Sequence, residues 1–235
     1  MADQPNRKPI PLNPLDVMST WLYAPPVNGG KKRPNFRLKV IGNVPRFTVK
    51  TNVEGDKNYG RIDFNCDLAT FAVIMTKLEA LADGTEDGAY MWTYEDHQFF
   101  NGQRTETPVV IARIRIGKDR DSGRIYLSVL SGESERPKIQ FFFGPSQYHK
   151  LLRGDGSELT PAEISAAYAK GFVTGHANVV YQLLVSQFDE DAKNVAKPQI
   201  PGGGGARSSG DGGGYQSNKP KSGGYDDISD FDDNF

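Results

Sequence analysis

The chain has a single cysteine, Cys66, only three histidines, and no long apolar run. One thiol excludes an internal disulfide framework and a cysteine-rich zinc site; it suits a reducing compartment and reads as a small buried hydrophobe. No stretch approaches the roughly 18 to 20 apolar residues of a bilayer span. Met1 to Pro14 also lacks the apolar segment of a signal peptide, so no membrane association is expected and the cytoplasm is the expected compartment. His97, His149 and His176 lie far apart, and no H-E-x-x-H, G-x-S-x-G or C-x-x-C pattern occurs. Glu95-Asp96-His97 is a poor metal site, because adjacent strand residues point to opposite faces. Pro201 to Gly205 is glycine-rich like a phosphate loop but lacks the G-K-[S/T] ending and a following helix. No enzyme, cofactor or metal is expected.

What is present is divided unevenly along the 235 residues. Residues 201–235 hold ten of the 26 glycines and three basic residues (Arg207, Lys219, Lys221) against six aspartates, a net charge of −3. The preceding 200 residues carry 25 basic and 23 acidic groups, net +2. A Gly/Ser segment buries too little apolar surface to offset the entropy of ordering, so 191–225 is expected to be a flexible linker. Beyond it, Asp226, Asp227, Asp230, Asp232 and Asp233 alternate with Ile228, Phe231 and Phe235. That tip, 226–235, is set apart from the solubilising acidic runs common at chain ends by its aromatics and by the tether before it. A tether of about 25 residues has a root-mean-square reach of roughly 25 to 30 Å, enough to fold back over a cationic groove or to capture a partner.

Residues 1–34 are proline-rich and read as an extended arm. From Asn35 the pattern has period two. Phe36, Leu38 and Val40 alternate with Arg37 and Lys39; Phe47 and Val49 alternate with Arg46, Thr48 and Lys50; Ile62, Phe64 and Cys66 continue the series. Asp67 caps a predicted helix to about Ala82, whose core stripe is Leu68, Phe71, Ala72, Met75, Leu78 and Ala82. Strands resume with Tyr90, Trp92 and Tyr94 on one face, a set that makes either a core wall or a base-stacking platform. An Asn101-Gly102 turn follows. Val109–Gly117 and Arg124–Leu130 form a hairpin; if Ile114, Ile116, Ile125, Leu127 and Val129 share a face, Arg113, Arg115, Arg124 and Tyr126 share the other. Lys138–Phe143 reads as a strand. Thr160-Pro161-Ala162-Glu163 has capping-box spacing for a helix to about Gly171, and Val179–Phe188 reads as a last strand. The expected fold is mainly β, a barrel or sandwich with two helices over 35–190.

Cations interleaved with aromatics carry the functional signal. Lys31, Lys32, Arg33, Arg37, Lys39, Arg46 and Lys50 fall in a stretch without a single acid, with Phe36 and Phe47 among them. Arg136, Lys138, Lys150 and Arg153 flank Phe141, Phe142, Phe143 and Tyr148 in another. Single-stranded nucleic acid calls for this chemistry: cations track the phosphates and aromatic faces stack unpaired bases, each stack worth about 1 to 3 kcal/mol. Phe36, Phe64, Phe71, Phe141 and Phe143 sit on the apolar sides of their strands and are assigned to the core. Tyr126 and Phe142, on the polar side, are the better stacking candidates, with Trp92 beside them.

At its C-terminal end the chain resembles the single-stranded DNA-binding proteins of bacteria and their phages. Asp226-Asp227-Ile228-Ser229-Asp230-Phe231 resembles the acidic, hydrophobic tip of the bacterial proteins, and Asp232-Asp233-Asn234-Phe235 repeats the acidic, Phe-terminated ending of phage replication proteins. The bacterial tip ends Ile-Pro-Phe where this one has Asp-Asn-Phe, and the domain is longer than the bacterial barrel, which points to the phage members and to the host cytoplasm. The resemblance implies an oligonucleotide-binding (OB) barrel that coats single-stranded DNA in replication, recombination and repair. It also implies recruitment of polymerase, helicase or nuclease through Asp226, Asp227, Asp230, Phe231, Asp232, Asp233 and Phe235, and, by analogy, a homodimer. RNA-binding or annealing on the same barrel, and virion or scaffold assembly, are the other readings.

Overall fold

The computed structural model describes residues 14–15, 22–27, 30–100 and 103–192. The expected Asn101-Gly102 turn, most of the N-terminal arm, the linker beyond Ala192 and the acidic tip lie outside the described residues. Among the described residues no helix is long and apolar enough to cross a membrane.

Period-two alternation builds an antiparallel meander of β2 (Asn35–Ile41), β3 (Val44–Lys50) and β4 (Arg61–Asn65), with β1 (Leu22–Tyr23) added at the β2 edge. Gly42 and Asn43 turn β2 into β3, both with positive φ (55° and 63°), as a two-residue hairpin turn requires. Helix α1 (Leu68–Asp83) follows, with Asp67 accepting the Thr70 amide at 2.8 Å at its start and Gly84 in the left-handed conformation at its end. The second sheet has the order β10 (Phe141–Phe142), β9 (Ile125–Ser131), β8 (Val109–Lys118), β5 (Ala89–Asp96), all antiparallel. A two-stranded pair, β6 (Phe99–Phe100) and β7 (Gln103–Arg104), stands apart. Helix α2 (Pro161–Ser186) closes the described chain, its capping box formed as the Thr160–Glu163 spacing predicts.

The architecture is therefore mainly β, with two four-stranded antiparallel sheets and two helices around one core. No ladder joins the two sheets among the described residues, so the expected barrel is not closed by hydrogen bonds. Short edges account for this. The β1 and β10 strands have two residues each, and Pro137 and Pro145, which cannot donate to a ladder, bracket β10 in place of the longer strand expected over Lys138–Phe143.

At the centre of the core Phe36 touches Phe47 (6.1 Å between centroids), Phe141 (6.0 Å) and Phe172 (6.2 Å), and so joins both sheets to α2. Phe47 in turn meets Phe64 and, at 5.9 Å, Phe71 of α1. The five phenylalanines assigned to the core are all buried, as is Cys66, whose thiol is pushed up to about 12 by burial and by the Asp67 charge. In α1 the buried stripe is Phe71, Ile74, Met75, Leu78 and Leu81. The expected stripe was rotated slightly from this one, and its Leu68 is 49% exposed.

The largest correction concerns α2. No strand forms over Val179–Phe188; the helix runs unbroken for 26 residues, about 39 Å. Gly171 and Gly175 suggest a stop, yet the buried residues Ser165, Ala169, Phe172, Val173, His176, Val180 and Leu183 recur at three- and four-residue spacing straight through them. Packing of that stripe outweighs the helix-weakening effect of about 1 kcal/mol per glycine. Ser165 is wholly buried and ties α2 to β9: its hydroxyl accepts the Ile125 amide at 2.9 Å and donates to the Ile125 carbonyl at 3.1 Å.

Two outcomes follow for denaturant unfolding. A Cβ at Gly171 or Gly175 meets no atom within 4 Å, so Gly171→Ala and Gly175→Ala should each stabilise by about 0.5 to 1 kcal/mol. Ser165→Ala strands a buried amide and should cost about 1 to 3 kcal/mol.

Candidate nucleic-acid interface

Pairing Phe36 with Val49, Leu38 with Phe47 and Phe47 with Phe64 across the meander turns the intervening residues away from the core. That outward face carries Arg37 and Lys39 from β2, Arg46, Thr48 and Lys50 from β3, and Arg61, Asp63 and Asn65 from β4. Five cations thus share this face with one carboxylate. Asp63 is placed to organise them: it accepts the Thr48 hydroxyl at 2.7 Å, pairs with Arg61 Nε at 2.9 Å and lies 3.7 Å from Arg46 Nη1. On the same face Arg61 Nη2 and Asn65 Oδ1 are buried and have no hydrogen-bond partner among the described residues. Buried polar atoms are nearly always satisfied, so these two mark a place where the face is not self-contained in its hydrogen bonding.

One register row crosses the whole sheet on this face: Tyr23, Asn35, Lys50, Arg61. Tyr23 is 46% exposed, with the Arg33 guanidinium 5.4 Å from its ring centre. Lys31, Lys32 and Arg33 lead into β2 as exposed residues. The first acid-free stretch is therefore brought together along one surface, and Arg61, which lies outside that stretch, belongs with it.

A second cationic surface lies on the other sheet. Pairing Ile114 with Val129 and Ile116 with Leu127 buries those side chains and turns Arg113, Arg115, Tyr126 and Phe142 outward, as the alternation predicts. Both sheets bury their inner faces in one core, so these arginines and the β2–β4 cations form two separate surfaces and not a single groove. The expected stackers here are already engaged. Tyr126 is only 3% exposed: Arg115 lies 5.9 Å from its ring, the edge of Phe142 packs on it, and its hydroxyl fills the space where Gly117 has no side chain. Arg124 sits 4.3 Å over the half-buried Phe142. Trp92 pairs with Ile114 on the inward side of β5, half-buried beside Tyr90, so Tyr90, Trp92 and Tyr94 form a core wall; the outward residues of that strand are Met91 and Thr93. Residues expected to bind partners, Asp226 to Phe235, lie outside the described residues.

Between β3 and β4 the chain makes a loop that sequence reasoning passed over. Asn58, Tyr59 and Gly60 all have positive φ (51°, 50° and 79°). A tyrosine there costs about 1 to 2 kcal/mol, and a Cβ at Gly60 would lie 2.7 Å from Thr51 Oγ1. A buried clamp holds the loop in this shape. Asp56 takes two bonds from Arg136, Nε at 2.9 Å and Nη2 at 3.0 Å, and a third from Thr51 at 2.6 Å, while Arg136 Nη2 also donates to the Lys57 carbonyl. The pair's side chains are 4% and 10% exposed. Arg136, one of the cations of the second acid-free stretch, is therefore a structural tie.

Elsewhere, a cavity of about 380 Å³ beside α2 is lined mainly by apolar groups, among them Leu22, Phe143, Tyr168 and Phe172, with His176 stacked on Phe172. Among the described residues that line it there is no lysine or arginine. Asp96 and His97, in the triplet considered for metal, are engaged locally: Asp96 accepts the Tyr94 hydroxyl and the His97 amide, and the His97 ring bonds to Thr105 O.

The Asp56 clamp makes a prediction about pH. Burial pushes its carboxyl upward, but hydrogen bonds from Arg136 and Thr51 and the guanidinium charge outweigh burial and hold it below the usual range. The stability it contributes is thus complete above the ordinary carboxylate value and is lost as pH falls through the lower folded value. Arg136→Ala should cost about 3 to 5 kcal/mol at pH 7. The gap between wild type and Asp56→Asn, read by urea unfolding, should be full at pH 7 and shrink below about pH 4.

Comparison with protein-family models, with curated proteins and with solved structures found no match to this chain.

Proposed function

We propose that this protein binds single-stranded DNA without sequence specificity, coating exposed strands during replication, recombination and repair, and recruits replication enzymes through its acidic tip. The observation that carries the proposal is the outward face of β2–β4, where Arg37, Lys39, Arg46, Lys50 and Arg61 share one side of the sheet with a single carboxylate, Asp63. Such a face supplies phosphate contacts and little base discrimination. The Arg113, Arg115 and Arg124 surface is assigned a lesser part, because Arg115 and Arg124 already lie over Tyr126 and Phe142.

A three-strand meander, a helix and then a second antiparallel sheet of β5, β8, β9 and β10 support an oligonucleotide-binding, partly open barrel. In that fold the second and third strands and their adjoining loops bind the oligonucleotide. Here those strands are β3 and β4, which carry Arg46, Lys50, Arg61 and Asn65. Between DNA encounters the tip, with its five aspartates among Ile228, Phe231 and Phe235, competes for the cationic face. DNA binding then frees it for polymerase, helicase or nuclease partners.

The test is fluorescence anisotropy of full-length protein and of residues 1–225 on labelled oligo-dT at two salt concentrations, with duplex and RNA competitors. Salt-sensitive binding that resists duplex competition and tightens at low salt on truncation is expected. Lys50→Ala should flatten the plot of log K against log salt by about 0.7, one phosphate contact on a single strand. Stronger competition by RNA would assign the protein to RNA. Unchanged affinity on truncation would sink autoinhibition, and no binding to either nucleic acid would leave assembly as the role of the tip.

A further inference from the structure

We infer that Tyr59 is a preformed stacking post, receiving an unpaired base of a strand that runs over the β3–β4 face. This rests on the single-strand reading and adds to it a residue outside both acid-free stretches.

Four observations converge on Tyr59. Its ring is 88% exposed, the most exposed of the large hydrophobic residues among those described, although the phenylalanines around it in sequence are packed in the core. Its backbone is left-handed, a conformation tyrosine adopts only when its surroundings impose it, and strain of this kind gathers at binding sites. The surroundings do impose it: the Asp56–Arg136 clamp, the Thr51 amide on Gly60 O at 2.8 Å and the Gly60 amide on Lys57 O at 3.0 Å fix the loop on both sides of the ring.

Placement supplies the fourth. Tyr59 precedes Arg61 by two residues, so the two Cα atoms are at most about 7.6 Å apart, and Arg61 is paired with Lys50 at the end of the cationic ladder. A phosphate held by Lys50 and Arg61 leaves its base within reach of the tyrosine ring. Apart from Tyr23 on the β1 edge, which the Arg33 guanidinium already covers, that face has no aromatic on its strands: the rings of β2, β3 and β4 point inward. Because the loop is already ordered, stacking on it adds little entropic cost of closure. Any base presents a π face, which suits coating without sequence preference.

Tyr59→Ala and Tyr59→Asn, the second chosen because asparagine accepts the left-handed backbone, should weaken oligo-dT binding about 5- to 150-fold, the range for one lost stack. Their salt slope should match wild type, since no phosphate contact is removed. Tyr59→Phe should bind within about twofold, and the Tyr59→Ala deficit should vanish on an abasic oligonucleotide. Phe188, 58% exposed just beyond the end of α2 and outside both acid-free stretches, provides the control: Phe188→Ala should bind like wild type. If wild type binds oligo-dT and the Tyr59 variants bind equally well, or if the Tyr59→Ala deficit persists undiminished on the abasic oligonucleotide, the stacking post is wrong and the single-strand reading stands. If wild type binds no single strand, both fall together.

Discussion

Everything on the outside of this domain depends on one contact inside it, the packing of Phe36 against Phe47. Those two rings fix the register of β2 on β3, bring Phe141 and Phe172 to one side and Phe64 and Phe71 to the other, and so bind both sheets and both helices into one core. Strand side chains alternate with period two, so burying Phe36, Leu38, Phe47 and Val49 obliges Arg37, Lys39, Arg46 and Lys50 to face out. A slip of one residue would put four cations in the core and four apolar groups in water. The cationic face is thus the reverse side of the hydrophobic core, specified by the same residues.

Charge on that face is arranged, not merely accumulated. Asp63 stands between Arg46 and Arg61 and takes a third bond from Thr48, which limits the rotamers of long side chains whose freedom would otherwise be lost on binding. Asp56 does comparable work with Arg136, this time to hold a loop. Both carboxylates lower the local positive charge, and both leave geometry behind in exchange. Near neutrality of the whole chain therefore says little about any one surface.

Much of this was legible in the sequence. The meander, both helix starts, the β8–β9 hairpin and the five core phenylalanines follow from local alternation and capping, where each residue's neighbours decide its side. What was not legible depends on distant partners. Gly171 and Gly175 resemble a stop until the stripe from Ser165 to Leu183 finds a core to pack on. Tyr126 sits on the polar side of β9, as alternation says, yet Arg115 and Phe142 cover it. Arg136 looks like a free cation until the fold places Asp56 beside it, 80 residues back in sequence. Tyr59 carries no pattern at all, because its role comes from backbone torsion and a clamp that only the folded chain assembles.

That clamp also has a consequence in time. Asp56 and Lys57 belong to the loop after β3, whereas Arg136 and Glu133 belong to the segment after β9, so the loop cannot swing away without severing a buried, doubly bonded ion pair between the two sheets. Surface loops ordinarily open and close far more often than the core. This one should open about as rarely as the domain unfolds, and its amide protons at Thr51 and Gly60 should exchange with solvent on that slow clock. The most exposed of the large hydrophobic side chains among the described residues is thus carried on a loop that both sheets hold in place.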